Sequence, residues 1–170
     1  VIPDQSEIEV VNRRKPDESP EDYLPYRDTE SGIPVLANFG TGYRYNVTGL
    51  CHDSTGFPTN DSVEIEKNIT RIVRKIEDNS DKIIDYREKM TGDAEVIVFA
   101  YGSVSRSARS AVAMCREEGI KVGILEPTVI WPFCYEKVKE LARQVDKFVV
   151  PEMNMGQMAR EVRLAVEGSA

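Results

Sequence analysis

The fold is decided by the stretch AEVIVFAYGS at residues 94–103. After Glu95 it is continuously apolar and rich in β-branched residues, which indicates a strand that is buried on both faces. A glycine and a serine then lead into residues 105–118, whose apolar spacing predicts a helix that ends at Gly119. The stretch therefore predicts one strand-then-helix unit of an α/β fold.

Two further units of this kind follow along the chain. The second combines a strand at 121–125 with a helix at 135–144, and the third combines a strand at 147–150 with a helix at 157–167. Buried strands that alternate with amphipathic helices are typical of parallel sheets covered on both sides. The sequence therefore predicts a three-layer α/β sandwich with a mainly parallel sheet over residues 93–170.

The preceding part of the chain has a different character. Residues 1–60 contain several prolines, and the stretch from Gly32 to Pro58 contains five glycines counting Gly32, so this part is predicted to be an ordered, loop-rich connecting segment. Residues 61–92 carry isoleucines at helical spacing and end in a glycine, which predicts one long helix. The apolar stripe of that helix fits packing on its own core or a seam between subunits, and the sequence leaves both open.

Composition and charge exclude several classes of function. The 170 residues are 41% hydrophobic, which supports a real core, and the net charge of −7 argues against binding nucleic acid or an anionic membrane. Three scattered cysteines and a single histidine cannot assemble a zinc site or an iron–sulfur cluster. No apolar run approaches the roughly 20 residues of a membrane span. We expect a reduced, soluble, cytoplasmic protein, and the start at Val1 suggests a fragment of a longer chain.

One candidate site follows the third strand, in the string VPEMNMGQ at 150–157. Glu152, Asn154, Gly156 and Gln157 lie just past the carboxyl end of that strand, where α/β sheets present functional groups. We expect a tight turn in which Gly156 allows close backbone approach and Gln157 stands near the start of the helix. The polar side chains are predicted to bond local backbone or a neighbouring subunit.

A second candidate is the strand-to-helix turn at Gly102 and Ser103. Backbone N–H groups and the helix dipole at such a turn can hold a phosphate or a carboxylate. The alternative is ordinary helix capping by Ser103 or Ser105.

A third candidate is the glycine-bounded loop at residues 49–56, which contains His52 beside Asp53. A carboxylate can orient an imidazole for acid–base work, but neighbouring loop residues usually point apart and no nucleophile can be placed beside them. Ordering such a loop costs conformational entropy, which suggests that a partner receives it. The other interpretation is that both residues only stabilise the turns of the loop itself.

Four strings, in order, resemble the alpha subunits of the 2-oxoacid:ferredoxin oxidoreductases. They are YLPY at 23–26, GLCHDSTG at 49–56, AYGSVSR at 100–106 and VPEMNMGQ at 150–157. The resemblance implies that the α/β part is similar to the transketolase C-terminal domain, which supports subunit packing and does not itself hold the diphosphate. The first two strings favour a 2-oxoglutarate enzyme over a branched-chain 2-oxoacid enzyme or a pyruvate enzyme.

The resemblance also implies an activity for the complete protein. These enzymes depend on thiamine diphosphate and oxidatively decarboxylate 2-oxoacids to acyl-CoA, CO2 and reduced ferredoxin. Thiamine diphosphate, magnesium and iron–sulfur clusters are then expected in other parts of the complex, including the thiamine-diphosphate-binding beta subunit, and this fragment alone is expected to be inactive. Its implied role is to support assembly and to enclose the active site with the loop of His52 and Asp53. A stand-alone α/β interaction domain, or a ligand-binding module that uses the Gly102–Ser103 turn, remains as an alternative.

Overall fold

The computed structural model describes residues 3–167, and the chain divides into two compact units between Asp78 and Asn79. The first unit contains a short 3-10 helix, Gln5–Glu7, and the helix α1, Ser62–Glu77, among loops and turns. The second unit contains the remaining elements, in the order α2 Ser80–Ile83, β1 Tyr86–Lys89, β2 Val96–Phe99, α3 Val104–Glu117, β3 Val122–Pro127, α4 Tyr135–Ala142, β4 Lys147–Val149 and α5 Gln157–Glu167.

Tyrosine hydroxyl groups hold the loops of the first unit together. Tyr23, Tyr26, Tyr43 and Tyr45 each donate a hydrogen bond to a backbone carbonyl that is distant in sequence, over 2.6 to 3.1 Å. The acceptors are the carbonyl oxygens of Val35, Asn46, Glu18 and Ala37, respectively. The ring of Tyr23 also packs edge-on against those of Tyr43 and Tyr45. Side chains therefore satisfy loop carbonyls that a sheet would otherwise pair.

Helix α1 begins at a well-formed cap and is shorter than the sequence predicts. The Asp61 carboxylate accepts hydrogen bonds from the backbone N–H groups of Val63 and Glu64, at 3.0 Å each. The prediction of a single helix over 61–92 is wrong, because α1 ends at Glu77 and β1 lies inside that range. Asn79 has a non-helical backbone. Residues of the Asp-Asn-Ser type compete for local backbone bonds and favour such breaks.

The apolar stripe of α1 is not buried in the described chain. Ile69 and Ile72 are 53% and 51% exposed. The helix binds its own unit through a polar flank instead, where the Asn68 amide donates to the carbonyl of His52 at 2.8 Å and the Arg71 guanidinium donates to the carbonyl of Gly32 at 2.9 Å. No residue of α1 is fully buried, although Ile65 and Ile76 are half-buried, and a seam between subunits stays a prediction.

The second unit is built on one four-stranded sheet with the strand order β1-β3-β2-β4. Strands β2, β3 and β4 are parallel, and β1 pairs antiparallel with the β3 edge. The alternation of side chains along the central strands divides the core in two. Ile97, Phe99 and Leu125 pack with α4 and α5, whereas Ala100, Val122 and Ile124 pack with α3, in a cluster that Val96 and Val98 join. The predicted three-layer sandwich with a mainly parallel sheet is confirmed.

Candidate functional site at the carboxyl edge of the sheet

The topology of the sheet places a crevice at the carboxyl end of β2. The chain leaves β2 toward α3 on one face of the sheet, and it leaves the neighbouring strand β4 toward α5 on the other face. Adjacent parallel strands whose following helices lie on opposite faces leave a gap between their loops, and α/β proteins bind ligands at such gaps. The segments 100–103 and 150–157 border this gap.

Three polar side chains meet across the crevice. Tyr101 lies just past the end of β2. Its hydroxyl accepts a hydrogen bond from the Asn154 amide at 2.6 Å. The same hydroxyl donates a hydrogen bond to a carboxylate oxygen of Glu152 at 3.4 Å. The three residues come from two segments that are about fifty positions apart in the sequence. Their contacts link the end of β2 to the start of α5.

The Glu152 carboxylate caps helix α5 from outside the helix. One oxygen accepts from the backbone N–H of Met158 at 3.1 Å and the other accepts from Ala159 at 3.0 Å. Partial burial acts to raise the pKa of Glu152, but the hydrogen bonds from Ala159, Met158, Asn154 and Tyr101 outweigh it and lower the pKa. The side chain therefore stays ionised at the positive end of the helix dipole.

Asn154 closes the turn that precedes α5. Its side-chain oxygen accepts from the N–H groups of Gly156 at 2.9 Å and Gln157 at 3.1 Å, and Gln157 is the first residue of the helix. Gly156 has φ +84°, a conformation that L-residues rarely adopt. The turn has the predicted place and bonds, but the reason for the glycine differs. A Cβ at this position would meet only Glu152 Oε1, at 3.9 Å, so positive φ rather than close backbone approach requires glycine.

Gly102 and Ser103 form the turn into α3, as the sequence predicts for a possible anion site. Ser103 stands at the N-cap position but its hydroxyl makes no capping hydrogen bond, and the first turn of α3 contains no acidic residue. Capping by Ser103 is therefore not observed. Ser105 is buried, and its backbone N–H donates to the carbonyl of Gly102 at 3.3 Å. The anion-binding role of the turn stays a prediction.

His52 is buried within the first unit. Its ring stacks on the ring of Tyr26, with centroids 4.9 Å apart and planes 8° from parallel. Its Nε2 lies 2.9 Å from the hydroxyl of Thr48. The imidazole is 6% exposed, so it serves as part of the packing of the loop rather than as a group open to a substrate in this unit.

Asp53 is occupied by the turns of its own loop. One carboxylate oxygen accepts from the N–H of Thr55 at 2.9 Å, from the Thr55 hydroxyl at 2.5 Å and from the N–H of Phe57 at 3.3 Å. The hydrogen bond from the Thr55 side chain is the main cause of a lowered pKa for Asp53. Asp53 does not bond His52 in the structure, so the two do not form an acid–base pair. The geometry favours the interpretation in which Asp53 stabilises the loop.

The loop packs against the Tyr-Leu-Pro-Tyr segment that the sequence singles out separately. Gly56 has φ +91°, and a Cβ at this position would lie 2.8 Å from Cγ of Pro25. The Asn46 amide donates to the carbonyl of Gly56 at 2.9 Å, and the Tyr26 hydroxyl donates to the carbonyl of Asn46 at 2.6 Å. The first two strings of the family resemblance therefore form one structural feature.

The structure brings the predicted residues together in two groups. Glu152, Asn154, Gly156 and Gln157 lie beside the Gly102–Ser103 turn at the carboxyl edge of the sheet, and His52 and Asp53 lie in the other unit. Sequence reasoning did not single out Tyr101 as a site residue. Its signal was available, because a tyrosine directly after a buried strand and before a glycine stands at the edge where such sheets present side chains.

Between residues 3 and 167, no group of three or more histidine, cysteine, aspartate or glutamate side chains could hold a metal ion. None of the helices in this range combines the length and the hydrophobicity that a bilayer crossing requires.

Comparison with known proteins identifies relatives for the whole chain. A family model described as pyruvate:ferredoxin oxidoreductase core domain II matches residues 94–170. The 2-oxoglutarate synthase subunit KorA of Methanothermobacter thermautotrophicus is 40% identical over 170 residues, which is 99% of this chain and 45% of the relative. The ketoisovalerate oxidoreductase subunit VorB of the same organism is 43% identical over 91 residues, which is 54% of this chain and 25% of the relative. The chain thus spans about half the length of the synthase subunit that it matches.

A solved structure extends the likeness to the fold. The 2-oxoglutarate:ferredoxin oxidoreductase of Magnetococcus marinus, determined with 2-oxoglutarate, coenzyme A and succinyl-CoA bound, superposes with a TM-score of 0.79 at 26% identity. The match covers 96% of this chain and 29% of that chain. The predicted family resemblance is therefore confirmed by sequence and by structure. The chain is related to subunits of the 2-oxoacid:ferredoxin oxidoreductases, and its residues 94–170 match the pyruvate:ferredoxin oxidoreductase core domain II.

Proposed function

We propose that the chain is part of the alpha subunit of an enzyme that oxidises 2-oxoglutarate with coenzyme A to succinyl-CoA and CO2 and passes two electrons to ferredoxin. The observation that carries this proposal is the 40% identity to a 2-oxoglutarate synthase subunit along 99% of the chain. The proposal places the protein in the cytoplasm, as one subunit beside a thiamine-diphosphate-binding beta subunit.

The cofactors belong to other parts of the complete enzyme in this proposal. Thiamine diphosphate with magnesium supplies the decarboxylation chemistry, and iron–sulfur clusters carry the electrons. In this proposal the described residues of the chain take a positioning role rather than a catalytic one. The turn before α5 and the loop at 49–56 are the two parts of the chain that are proposed to position neighbouring groups of the complete enzyme.

The turn before α5 is proposed to face a neighbouring subunit. Met153 and Met155 are each 87% exposed, and they flank Asn154 at the crevice. Unbranched methionine side chains adapt to irregular apolar surfaces. The bonds that Glu152 and Asn154 make to the backbone fix the turn that presents these two side chains.

The loop at 49–56 is proposed to help enclose the active site in the assembled enzyme. Leu50 and the adjoining Phe57 are 64% and 65% exposed, and the bonds of Asp53 hold the loop between them in one conformation. In this proposal the apolar side chains meet the partner and His52 braces the loop from inside. Ion pairing of Asp53 with a basic residue of the beta subunit is the alternative.

Branched-chain 2-oxoacids are the second candidate substrates, because a ketoisovalerate oxidoreductase subunit is 43% identical over part of the chain. The test is anaerobic, coenzyme-A-dependent dye reduction by the full subunit that contains this chain, purified with its partner subunits. We expect kcat/KM for 2-oxoglutarate to exceed the values for 2-oxoisovalerate and pyruvate at least tenfold, and no turnover by the 170-residue chain alone. A preference for another 2-oxoacid would refute the substrate assignment. Failure to co-purify with a thiamine-binding partner would favour a stand-alone module.

A further inference from the structure

A group of exposed cations lies on the face of the sheet that α3 covers, toward the β1 edge. Its members are Arg87 and Lys89 of β1 and Arg106 and Arg109 of α3, and we refer to these four residues as the basic patch. All four are exposed. No residue of the patch has a role in the function proposed above.

The buried carboxylate of Glu126 organises the patch. Glu126 is 8% exposed, and both of its oxygens accept from Nε of Arg109, at 2.8 and 3.1 Å. Its side chain points to the same face as Ile124, which packs with α3. Burial of a carboxylate is costly unless it is paired, so Glu126 holds the guanidinium of Arg109 in a fixed orientation. The Nη atoms of Arg109 make no hydrogen bond within residues 3–167, so they remain available to a ligand.

The register of β1 against β3 brings Arg87 and Lys89 close to Glu126. Arg87 stands directly opposite Glu126 in the antiparallel pair of β1 and β3, so their Cβ atoms are about 5 Å apart on one face. Lys89 follows two residues later on that face, about 7 Å along the strand. On α3, Arg106 and Arg109 are three residues apart, a spacing that makes side chains neighbours on a helix surface.

The charge of the patch is not balanced within the described chain. Arg87, Lys89 and Arg106 form no ion pair among residues 3–167, and Glu126 is the one carboxylate that pairs with Arg109. Arg116, on the same flank of α3, is by contrast neutralised by Asp93 at 2.8 Å. Cations in the first turn of a helix oppose its dipole, and like charges at this spacing repel, so the arrangement is unfavourable without an anion. It stands out in a chain of net charge −7.

We propose that the basic patch is a docking surface for an acidic polypeptide segment, whose carboxylates bind the Nη groups of Arg109 and the side chains of Arg87, Lys89 and Arg106. Guanidinium groups that are held in one orientation match carboxylates with two parallel hydrogen bonds. The basic patch contains no aromatic side chain on which a base could stack. It is small, because its residues lie two positions apart on β1 and within about one turn of α3. These features favour a short run of aspartates or glutamates over nucleic acid.

The test is the binding of fluorescein-labelled poly-L-glutamate to the full chain, measured by anisotropy at about 0.1 M salt, where charges more than about 10 Å apart are largely screened. The patch variant combines Arg87→Gln, Lys89→Gln and Arg106→Gln, and leaves the Arg109–Glu126 pair intact. The matched control combines Arg143→Gln, Lys147→Gln and Arg163→Gln, which removes the same charge near the β4 edge. We expect the patch variant to bind at least tenfold more weakly than wild type, and the control to bind less than threefold more weakly.

Three outcomes would overturn the proposal. The first is no binding of poly-L-glutamate by the wild type, and the second is an equal loss of affinity in the patch variant and the control. The third is tighter binding of a single-stranded oligonucleotide of equal charge, which would assign the patch to nucleic acid. Because the readout is binding rather than turnover, the result is independent of the proposed 2-oxoacid activity.

Discussion

Two carboxylates, Glu152 and Asp53, show how a single side chain can fix the path of the backbone. Glu152 accepts two N–H groups from the start of α5, and Asp53 accepts two N–H groups and a hydroxyl within its own loop. Each group is more acidic in the fold than in a free chain because the charged form accepts these bonds. The lowered pKa values of Glu152 and Asp53 therefore reflect hydrogen bonds that stabilise the fold, and they do not indicate acid–base catalysis.

We predict that Glu152→Gln destabilises the chain by about 1 kcal/mol at neutral pH, or about 3 °C in Tm, because the cap of α5 loses its charge. Since the folded pKa of Glu152 lies below that of the unfolded chain, its stabilisation is complete above the unfolded pKa and is lost as the pH falls through the folded pKa. Urea unfolding at several pH values checks this. The difference from wild type should vanish in acid, and a difference of constant size would contradict the assignment. The exposed Glu117→Gln serves as the control.

The loop of Asp53 gives a second prediction at this scale. Asp53→Ala removes the acceptor of the Thr55 and Phe57 N–H groups, so both amides should exchange with deuterium faster, whereas Asp53→Asn keeps a carbonyl acceptor and should change exchange less. Kinetics of the assembled enzyme are measured in parallel. Altered 2-oxoacid kinetics in Asp53→Asn, with unchanged exchange at Thr55, would instead support an ion pair with a partner subunit.

At the scale of elements, periodicity predicted the three strand-then-helix units but not the break after α1. The central strands are buried on both faces, so their apolar runs are unambiguous. In β1, however, Tyr86 faces α4 whereas Arg87 and Lys89 are exposed, and this strand exists because it pairs with β3. A pairing partner about forty residues away cannot be read from a window that also fits a helix. For the same reason, a local sequence pattern could not predict the hydrogen bond that joins Tyr101 and Asn154 across the crevice.

The packing of the 49–56 loop on Pro25 leads to a prediction for glycine substitutions. Gly56→Ala should cost more stability than Gly40→Ala, although both glycines have positive φ, because a Cβ at position 56 would lie 2.8 Å from Pro25 and one at position 40 meets nothing within 4 Å. Both variants carry a conformational cost of about 1 kcal/mol, and Gly56→Ala adds an overpacking cost of about 1 to 3 kcal/mol. Equilibrium urea unfolding measures the difference. Equal losses would show that the contact with Pro25 relaxes freely.

At the scale of the molecule, the two units use different means to satisfy their backbone groups. The second unit pairs its backbone in a sheet that is covered by helices on both faces. The first unit relies on α1, on turns and on tyrosine hydroxyl groups. The sequence indicated this contrast through the glycines, prolines and aromatic residues of its first sixty positions. It could not indicate which tyrosine bonds which carbonyl, because those bonds depend on the path of the whole loop.

We predict that hydrogen exchange separates the units. Amides of β2 and β3 should be the best protected, because they lie in the centre of the sheet, whereas loop amides of the first unit should exchange at least tenfold faster, since most of them lack a backbone partner. Mass spectrometry of deuterated peptides measures both. Equal protection at 23–58 and 96–125 would contradict the prediction.

The shortness of β4 also bears on how the protein behaves when it is concentrated. This strand forms one edge of the sheet, yet it has only three residues, begins with an exposed lysine and is followed two positions after its end by Pro151. An open border of unpaired backbone groups is a template for other chains, and brevity, lysine and proline are the features by which natural sheets prevent such pairing. The edge of the sheet that β4 forms is therefore expected to resist the strand-to-strand association that leads to aggregates and fibres.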